Sequence, residues 1–214
     1  MVKARSAFLA EGYYSPLQKG ICEILSRLSP ACLLDAGCGE GYYTAEFANT
    51  LEKSVIYAVD LSKDAVRKTK VKDKRLNCCV ASVYQLPFFD NSFDCITNIF
   101  SPFSKDEFLR VLNDDGYLIN VIPLENHLWE LKSVIYENPY KNEPQSPELE
   151  GFSHVETKII DYAVDIQTNA QIKNLFTMTP YYYNTSPKDK QKLDSLNFLK
   201  TSISFGIMVH KKTK

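Results

Sequence analysis

The stretch Leu33–Thr44, LLDAGCGEGYYT, sets one acid and three glycines at alternate positions: Asp35, Gly37, Gly39 and Gly41. An apolar run ends at the acid, so the glycines fall in a turn between a strand and a helix. Glycine there permits unusual backbone angles and lets a ligand lie against the main chain. In dinucleotide enzymes the spacing is G-x-G-x-x-G, with a pyrophosphate on the helix N-terminus. Here the third glycine comes one residue early, and Glu40 stands inside the loop. A carboxylate repels an anion but tolerates a ligand that carries a sulfonium and an amino group. The pattern therefore points away from a dinucleotide and towards S-adenosylmethionine. Asp60 ends the next apolar run, 19 residues after Gly41. A carboxylate there can accept both hydroxyls of a ribose. Leu61 and Ser62 follow it and would border the adenine, while Asp35 could orient loop amides or the ligand's amino group.

These residues need a scaffold, and the chain alternates strand-like and helix-like segments. Ser15-Pro16 opens a helix with Leu17, Ile21, Ile24, Leu25 and Leu28 on one face. Strands are expected at Ala31–Ala36, Ser54–Val59, Cys78–Ala81, Phe93–Phe100 and Tyr117–Ile122. Helices are expected at Thr44–Leu51, from Ser62 onward, and after a capping box, Ser104-Lys-Asp-Glu107. Asp115-Gly116 reads as a turn. This alternation implies an α/β fold with a mostly parallel sheet and helices on both faces. Further on, a helix is expected from about His127 to Tyr136. Asn138–Gly151 is polar with three prolines and reads as a loop. Val155–Val164 and Ser202–Val209 are late strand candidates.

The chain has 214 residues, 44% of them hydrophobic, enough for a sizeable core. Its formal net charge of -1 gives no overall support for nucleic-acid binding, though a local patch could exist. The six cysteines form no CxxC pair, so no metal site is expected, and they read as small packing residues in a reducing cytoplasm. No apolar run is long enough to span a membrane, and the start lacks the apolar core of a signal peptide.

Ser82–Ile96, SVYQLPFFDNSFDCI, carries the LPF-x-D-x-SFD pattern found before the fourth strand of many class I S-adenosylmethionine-dependent methyltransferases, and FLRVLNDDGYLI resembles their RVLKPGG turn. Ser82 stands where that pattern usually has an acid, and its hydroxyl could still bond the adenine amino group. More specifically, the chain resembles the bacterial 23S rRNA guanine-N1 methyltransferases of the RlmA type, a group that includes macrolide-resistance relatives. The resemblance rests on Ala4–Leu17, LLDAGCGEGYYT, Cys79–Phe88, Glu125–Tyr136 (ENHLWELKSVIY), Leu149–Phe152 and Leu175–Tyr183 (LFTMTPYYY). It implies a Rossmann-like domain with a seven-stranded, mostly parallel sheet in the order 3-2-1-4-5-7-6. One domain, 1–214, is expected, with a cofactor-covering segment (1–30), a cofactor-binding half (31–123) and a substrate-side half (124–214).

The resemblance also implies roles. Tyr14 would close over the cofactor, Gly39 and Glu40 would contact it, and His127 would reach its methionine end. On residue type alone His127 reads instead as a surface histidine at a helix N-terminus. The implied substrate is rRNA, and a homodimer is conceivable. The family carries an N-terminal cysteine-rich zinc module; this chain opens just before the first shared segment, so either a fragment or a shortened homologue is expected. Methylation of guanine N1 requires loss of its proton, hence a base or an anion-stabilising group. Glu130, His127, Asn98 and Ser101 are the candidates, with no choice among them. The basic run Lys63–Arg75 is either a solvated helix face or a phosphate contact. Tyr181, Tyr182 and Tyr183 either pack a substrate-side region or stack on bases. Two other readings stand beside the rRNA enzyme: a small-molecule methyltransferase, and a cofactor-binding protein without turnover.

Overall fold

The computed structural model describes residues 2–213. The described chain runs α1 (Val2–Ala10), α2 (Ser15–Leu28), β1 (Cys32–Ala36), α3 (Tyr42–Thr50), β2 (Val55–Asp60), α4 (Lys63–Lys72), β3 (Asn77–Val80) and β4 (Phe93–Ile99). It continues through α5 (Lys105–Val111), β5 (Leu112–Pro123), α6 (Trp129–Ile135), β6 (Phe152–Ile166), α7 (Asn169–Met178), α8 (Tyr181–Asn184), α9 (Pro187–Gln191) and β7 (Leu199–Lys212). The strands form one seven-stranded sheet in the order β3-β2-β1-β4-β5-β7-β6, as the resemblance implies. The pairs β1–β2, β1–β4, β2–β3 and β4–β5 are parallel. Register matters for the site: Asp35 lies beside Ala58 on one side and Thr97 on the other, and Asp60 lies beside Val80.

Two compact units divide the residues. One comprises Leu17–Ile122, Ser146–Lys158 and the chain from Gly206 onward. Its core gathers Leu34, Ala36, Val59, Leu86, Phe93, Ile96, Phe108 and Leu118. The other comprises the residues up to Pro16, Pro123–Gln145 and Ile159–Phe205, with α1 packed on α7. Its buried apolar residues include Phe8, Leu9, Leu131, Ile135, Ile172, Leu175, Phe176 and Phe205.

Three local expectations change. Ser104 does occupy the N-cap of α5, but its side chain makes no capping bond. Glu107, the other half of the expected box, instead accepts from Leu86 N at 2.6 Å and pairs with Arg110, whose guanidinium also bonds Phe88 O and Leu86 O. The stronger charge-assisted partner takes the carboxylate. Asp115-Gly116 does not separate helix from strand. The register of β4 against β5 jumps from Phe93↔Leu112 to Cys95↔Tyr117, so the turn is an irregularity inside β5, with Asp115 at φ 66°. Finally, α6 starts at Trp129, after Leu128 at φ 56°, so His127 precedes the helix.

Candidate active site

The glycine loop connects β1 to α3. Gly37, Gly39 and Gly41 have φ of 90°, 55° and 74°, the left-handed region that disfavours a side chain. Its amides turn towards the protein. Gly37 and Cys38 donate to Val59 O at 2.8 and 2.9 Å, Gly41 donates to Cys38 O at 3.0 Å, and Gly39 donates to Asp60 Oδ2 at 3.0 Å. Four inward amides do not make a phosphate cradle, which needs them aimed at the anion. A Cβ on Gly37 would overlap Ser101, and one on Gly41 would come within 2.8 Å of Thr69. Thr69 in turn donates to Gly39 O at 2.9 Å.

Asp60, at the end of β2, ties this loop to the next. Its Oδ2 holds Gly39 and its Oδ1 accepts from Ser62 N at 2.8 Å. A carboxylate offers about four acceptor sites, so two bonds leave room for two hydroxyl donors. Ser62 caps α4 by accepting from Ala65 N at 3.3 Å. Leu61 between them is 75% exposed, an apolar surface beside a carboxylate. Ser82 follows β3, and its Oγ accepts from Tyr84 N at 3.2 Å. Glu40 is buried within the loop.

Asp35 is buried and satisfied by hydroxyls. Thr97 Oγ1 donates to Oδ1 at 3.0 Å and Thr44 Oγ1 to Oδ2 at 2.5 Å. These bonds tie β1 to β4 and to α3, where the sequence suggested loop amides or a ligand amino group. Asn98 and Ser101 clamp the same strand end: Asn98 Nδ2 donates to Ser101 Oγ at 3.1 Å and Pro102 O at 3.1 Å, and Ser101 Oγ donates to Ala36 O at 3.0 Å. Neither side chain is a base. All six thiols are held above their usual range, chiefly by burial, and read as packing groups.

The other unit holds Tyr14 and His127 in one aromatic cluster. The Tyr14 ring lies edge-on to Phe8 at 5.5 Å, to Phe205 at 5.1 Å and to His127 at 6.4 Å. Burial pushes its phenol well above the usual range. His127 is 6% exposed, so the surface reading that residue type favoured is overturned. Its ring stands 4.4 Å from Phe205, and Nδ1 accepts from Ser204 N at 3.3 Å. Burial, aided by the charge of Lys132, lowers its pKa to about 3. The neutral ring therefore carries its proton on Nε2.

Glu130 is committed elsewhere. It accepts from Thr201 Oγ1 at 3.1 Å, Ser202 N at 2.7 Å and Ser202 Oγ at 2.9 Å. Partial burial raises its pKa, but these bonds win and hold it below the carboxylate range. Such a carboxylate is a poor proton acceptor. Of the three tyrosines, Tyr181 donates to Asn142 Oδ1 at 3.2 Å, Tyr182 packs on Phe176, and Tyr183 is 66% exposed. The lysines and arginines of the basic run are all exposed, and α4 carries most of them.

A second feature escaped the sequence reading. Lys132 on α6 is completely buried. It occupies the apolar stripe Leu128, Leu131, Lys132, Ile135, a three-and-four spacing visible in the sequence.

The residues around the loop fit S-adenosylmethionine: acceptor sites on Asp60 for hydroxyls, an exposed apolar edge at Leu61, a carboxylate in the loop, and amides withdrawn from anion duty. Known proteins agree. Residues 33–116 match the family model described as a methyltransferase domain. Among solved structures, a provisionally named methyltransferase from Bacillus halodurans C-125 superposes with a TM-score of 0.61 at 16% identity, covering 86% of this chain and 93% of that one. YxjB of Bacillus subtilis, provisionally named a 23S rRNA (guanine-N1)-methyltransferase, is 32% identical over 206 residues, 90% of this chain and 72% of the relative. The 23S rRNA (guanine(748)-N1)-methyltransferase of Streptomyces fradiae is 34% identical over 140 residues, which are 63% of this chain and only 50% of that relative. The likeness to YxjB reaches well beyond the cofactor half, and the chain belongs to the 23S rRNA (guanine-N1)-methyltransferase family, as an S-adenosylmethionine-dependent methyltransferase of class I fold.

Proposed function

We propose that this chain methylates N1 of a guanine in 23S rRNA. One observation carries the reading: similarity to a 23S rRNA (guanine-N1)-methyltransferase spans 90% of the chain, including the unit that does not contain the glycine loop. In this reading Asp60 accepts both ribose hydroxyls, Leu61 and Ser82 border the adenine, and Gly37, Gly39, Glu40 and Gly41 line the cofactor with Asp35 fixing the strand end behind them. Tyr14 and His127 attend the methionine end. The bound cofactor supplies a methyl group on a positively charged sulfur. The chain's own task is positioning, since an aligned nucleophile meets most of the barrier by proximity. The acceptor base leaves its stack to reach the methyl group. The exposed α4 lysines and Arg67 suit phosphates, and Tyr183 suits stacking. An rRNA substrate places the protein in the cytoplasm with the ribosome.

The test is methyl transfer from labelled S-adenosylmethionine to unmodified 23S rRNA, followed by mapping of the modified base. N1-methylguanine at one position is expected. Tight cofactor binding with no transfer to rRNA would overturn the proposal.

A further inference from the structure

Lys132 is the only lysine or arginine that is buried among the described residues. Its Nζ donates to Asn142 Oδ1 at 2.7 Å and to Tyr140 O at 3.2 Å. It also lies 5.0 Å from the ring centroids of Tyr140 and Tyr181. The titratable groups around it are His127 before α6, Tyr140 on the following segment and Tyr181 on α8. His127 titrates near 3 and the two phenols are shifted upward, Tyr181 to about 12, so none supplies a negative charge at neutral pH. A cation buried among neutral groups is costly, and burial lowers the Lys132 pKa. Ring faces and two carbonyl oxygens offset part of that cost.

Half of this cage is removable. Tyr140 is 54% exposed and sits on a segment, 136–149, without regular structure. Asn142 pins that segment through its N–H to Glu125 O at 3.1 Å and its Nδ2 to Leu124 O at 2.8 Å. The Tyr181 side of the cage is fixed by the bond to Asn142. Lys132 follows His127 by five residues and its charge reaches that ring, which stands 6.4 Å from Tyr14, so the cage adjoins the cluster that the proposed reading puts at the methionine end.

We propose that Lys132 is a catalytic residue: the acceptor guanine takes the place of the Tyr140 ring, and the Lys132 ammonium bonds its O6. The inference rests on the guanine-N1 reading above. It answers the question that Glu130, Asn98 and Ser101 leave open, because it needs no strong base. The N1–H bond breaks and its proton passes to solvent water. The electron pair left on N1 is shared with O6, where the ammonium holds the developing charge. The N1 pair then bonds the methyl carbon as the carbon–sulfur pair returns to sulfur. One proton leaves, a neutral thioether remains, and Lys132 stays protonated throughout.

The experiment follows labelled methyl transfer to 23S rRNA from neutral to mildly alkaline pH, for wild type, Lys132→Met, Lys132→Arg and Tyr140→Ala. Cofactor affinity and melting temperature are measured alongside. Loss of a preorganised donor to a developing anion lowers kcat by about 100- to 1000-fold, so Lys132→Met should fall this far at neutral pH. Its deficit should shrink as pH rises and the guanine loses its proton unaided. Lys132→Arg should recover much of the rate, Tyr140→Ala, which empties the acceptor position in advance, should lower the KM for rRNA, and cofactor affinity should not change. A Lys132→Met enzyme near wild-type rate, or one equally impaired at every pH, would overturn the role. If Lys132→Met does not fold, wild type alone decides. Its rate should level off below the pKa of free guanine N1; a rate that climbs all the way to that pKa overturns the proposal. Cofactor binding without any rRNA methylation by wild type defeats the functional reading itself, and this inference with it.

Discussion

Replacing Asp60 with alanine separates a cofactor role from a structural one, because the carboxylate has two jobs of different kinds. It accepts Gly39 N at 3.0 Å and Ser62 N at 2.8 Å, and in the proposed reading it also accepts two ribose hydroxyls. A typical hydrogen bond contributes about 0.5–1.5 kcal/mol net and one to a charged group about 1.5–3 kcal/mol, and exposure to water draws the second figure towards the first. Asp60 is half-buried, so the two ribose bonds together amount to roughly 1–3 kcal/mol. That is about a 5- to 150-fold rise in the dissociation constant. The two backbone bonds have a similar value on folding, and in a chain of this size 1 kcal/mol moves the melting temperature by about 2–4 °C. Titration calorimetry with S-adenosylhomocysteine reads the first effect and thermal melting the second. Asp60→Asn keeps one acceptor oxygen and should lie between wild type and alanine in both. A lowered melting temperature with unchanged affinity would show that Asp60 only braces the loop, and the ribose assignment would be wrong.

Two further outcomes follow from the same geometry. Gly37→Ala should destabilise the protein by roughly 2–5 kcal/mol, because φ of 90° strains any side chain and its Cβ meets Ser101, whereas Gly12→Ala, at φ 78° with open space around it, should cost only about 1–2 kcal/mol; equal losses in denaturant melts would remove Ser101 from the account. His127 has a folded pKa of about 3, below its unfolded value of about 6.5, so its contribution to stability is intact above that unfolded value and is lost as pH falls towards 3, with a slope of about 1.4 kcal/mol per pH unit for one proton. His127→Phe should flatten that part of the pH–stability curve, and an unchanged slope would mean that the ring is not buried neutral.

The cofactor half was legible because its signals are local. Asp35, the alternating glycines and Asp60 lie at strand ends, and hydrophobic runs of strand length fix where those ends fall. The failures were of two physical kinds. Ser104-x-x-Glu107 matched a capping box, but sequence spacing cannot show that Arg110 and Leu86 N, which lies 21 residues away, compete for the same carboxylate. Asp115-Gly116 matched a turn, and a turn exists, yet strand pairing resumes on both sides of it and absorbs it into β5. In each case a long-range partner outweighed a short-range pattern.

His127 and Lys132 show the sharper limit, since polar residue types misstate burial when the neighbours are apolar. Leu128, Leu131, Lys132 and Ile135 repeat at helical spacing, so the stripe itself requires Lys132 to face inward. A lysine in that register must either extend to solvent or find partners inside. Tyr140, Asn142 and Tyr181 are those partners, drawn from segments up to 49 residues away. The same apolar surroundings that make the cation costly also strengthen its pull on any anion that reaches it. A charge placed against the helical pattern, with no carboxylate among its described partners, is therefore what a site for a developing purine anion would require. Tyr140 is the part of the cage that an acceptor base can displace, since it is the exposed one.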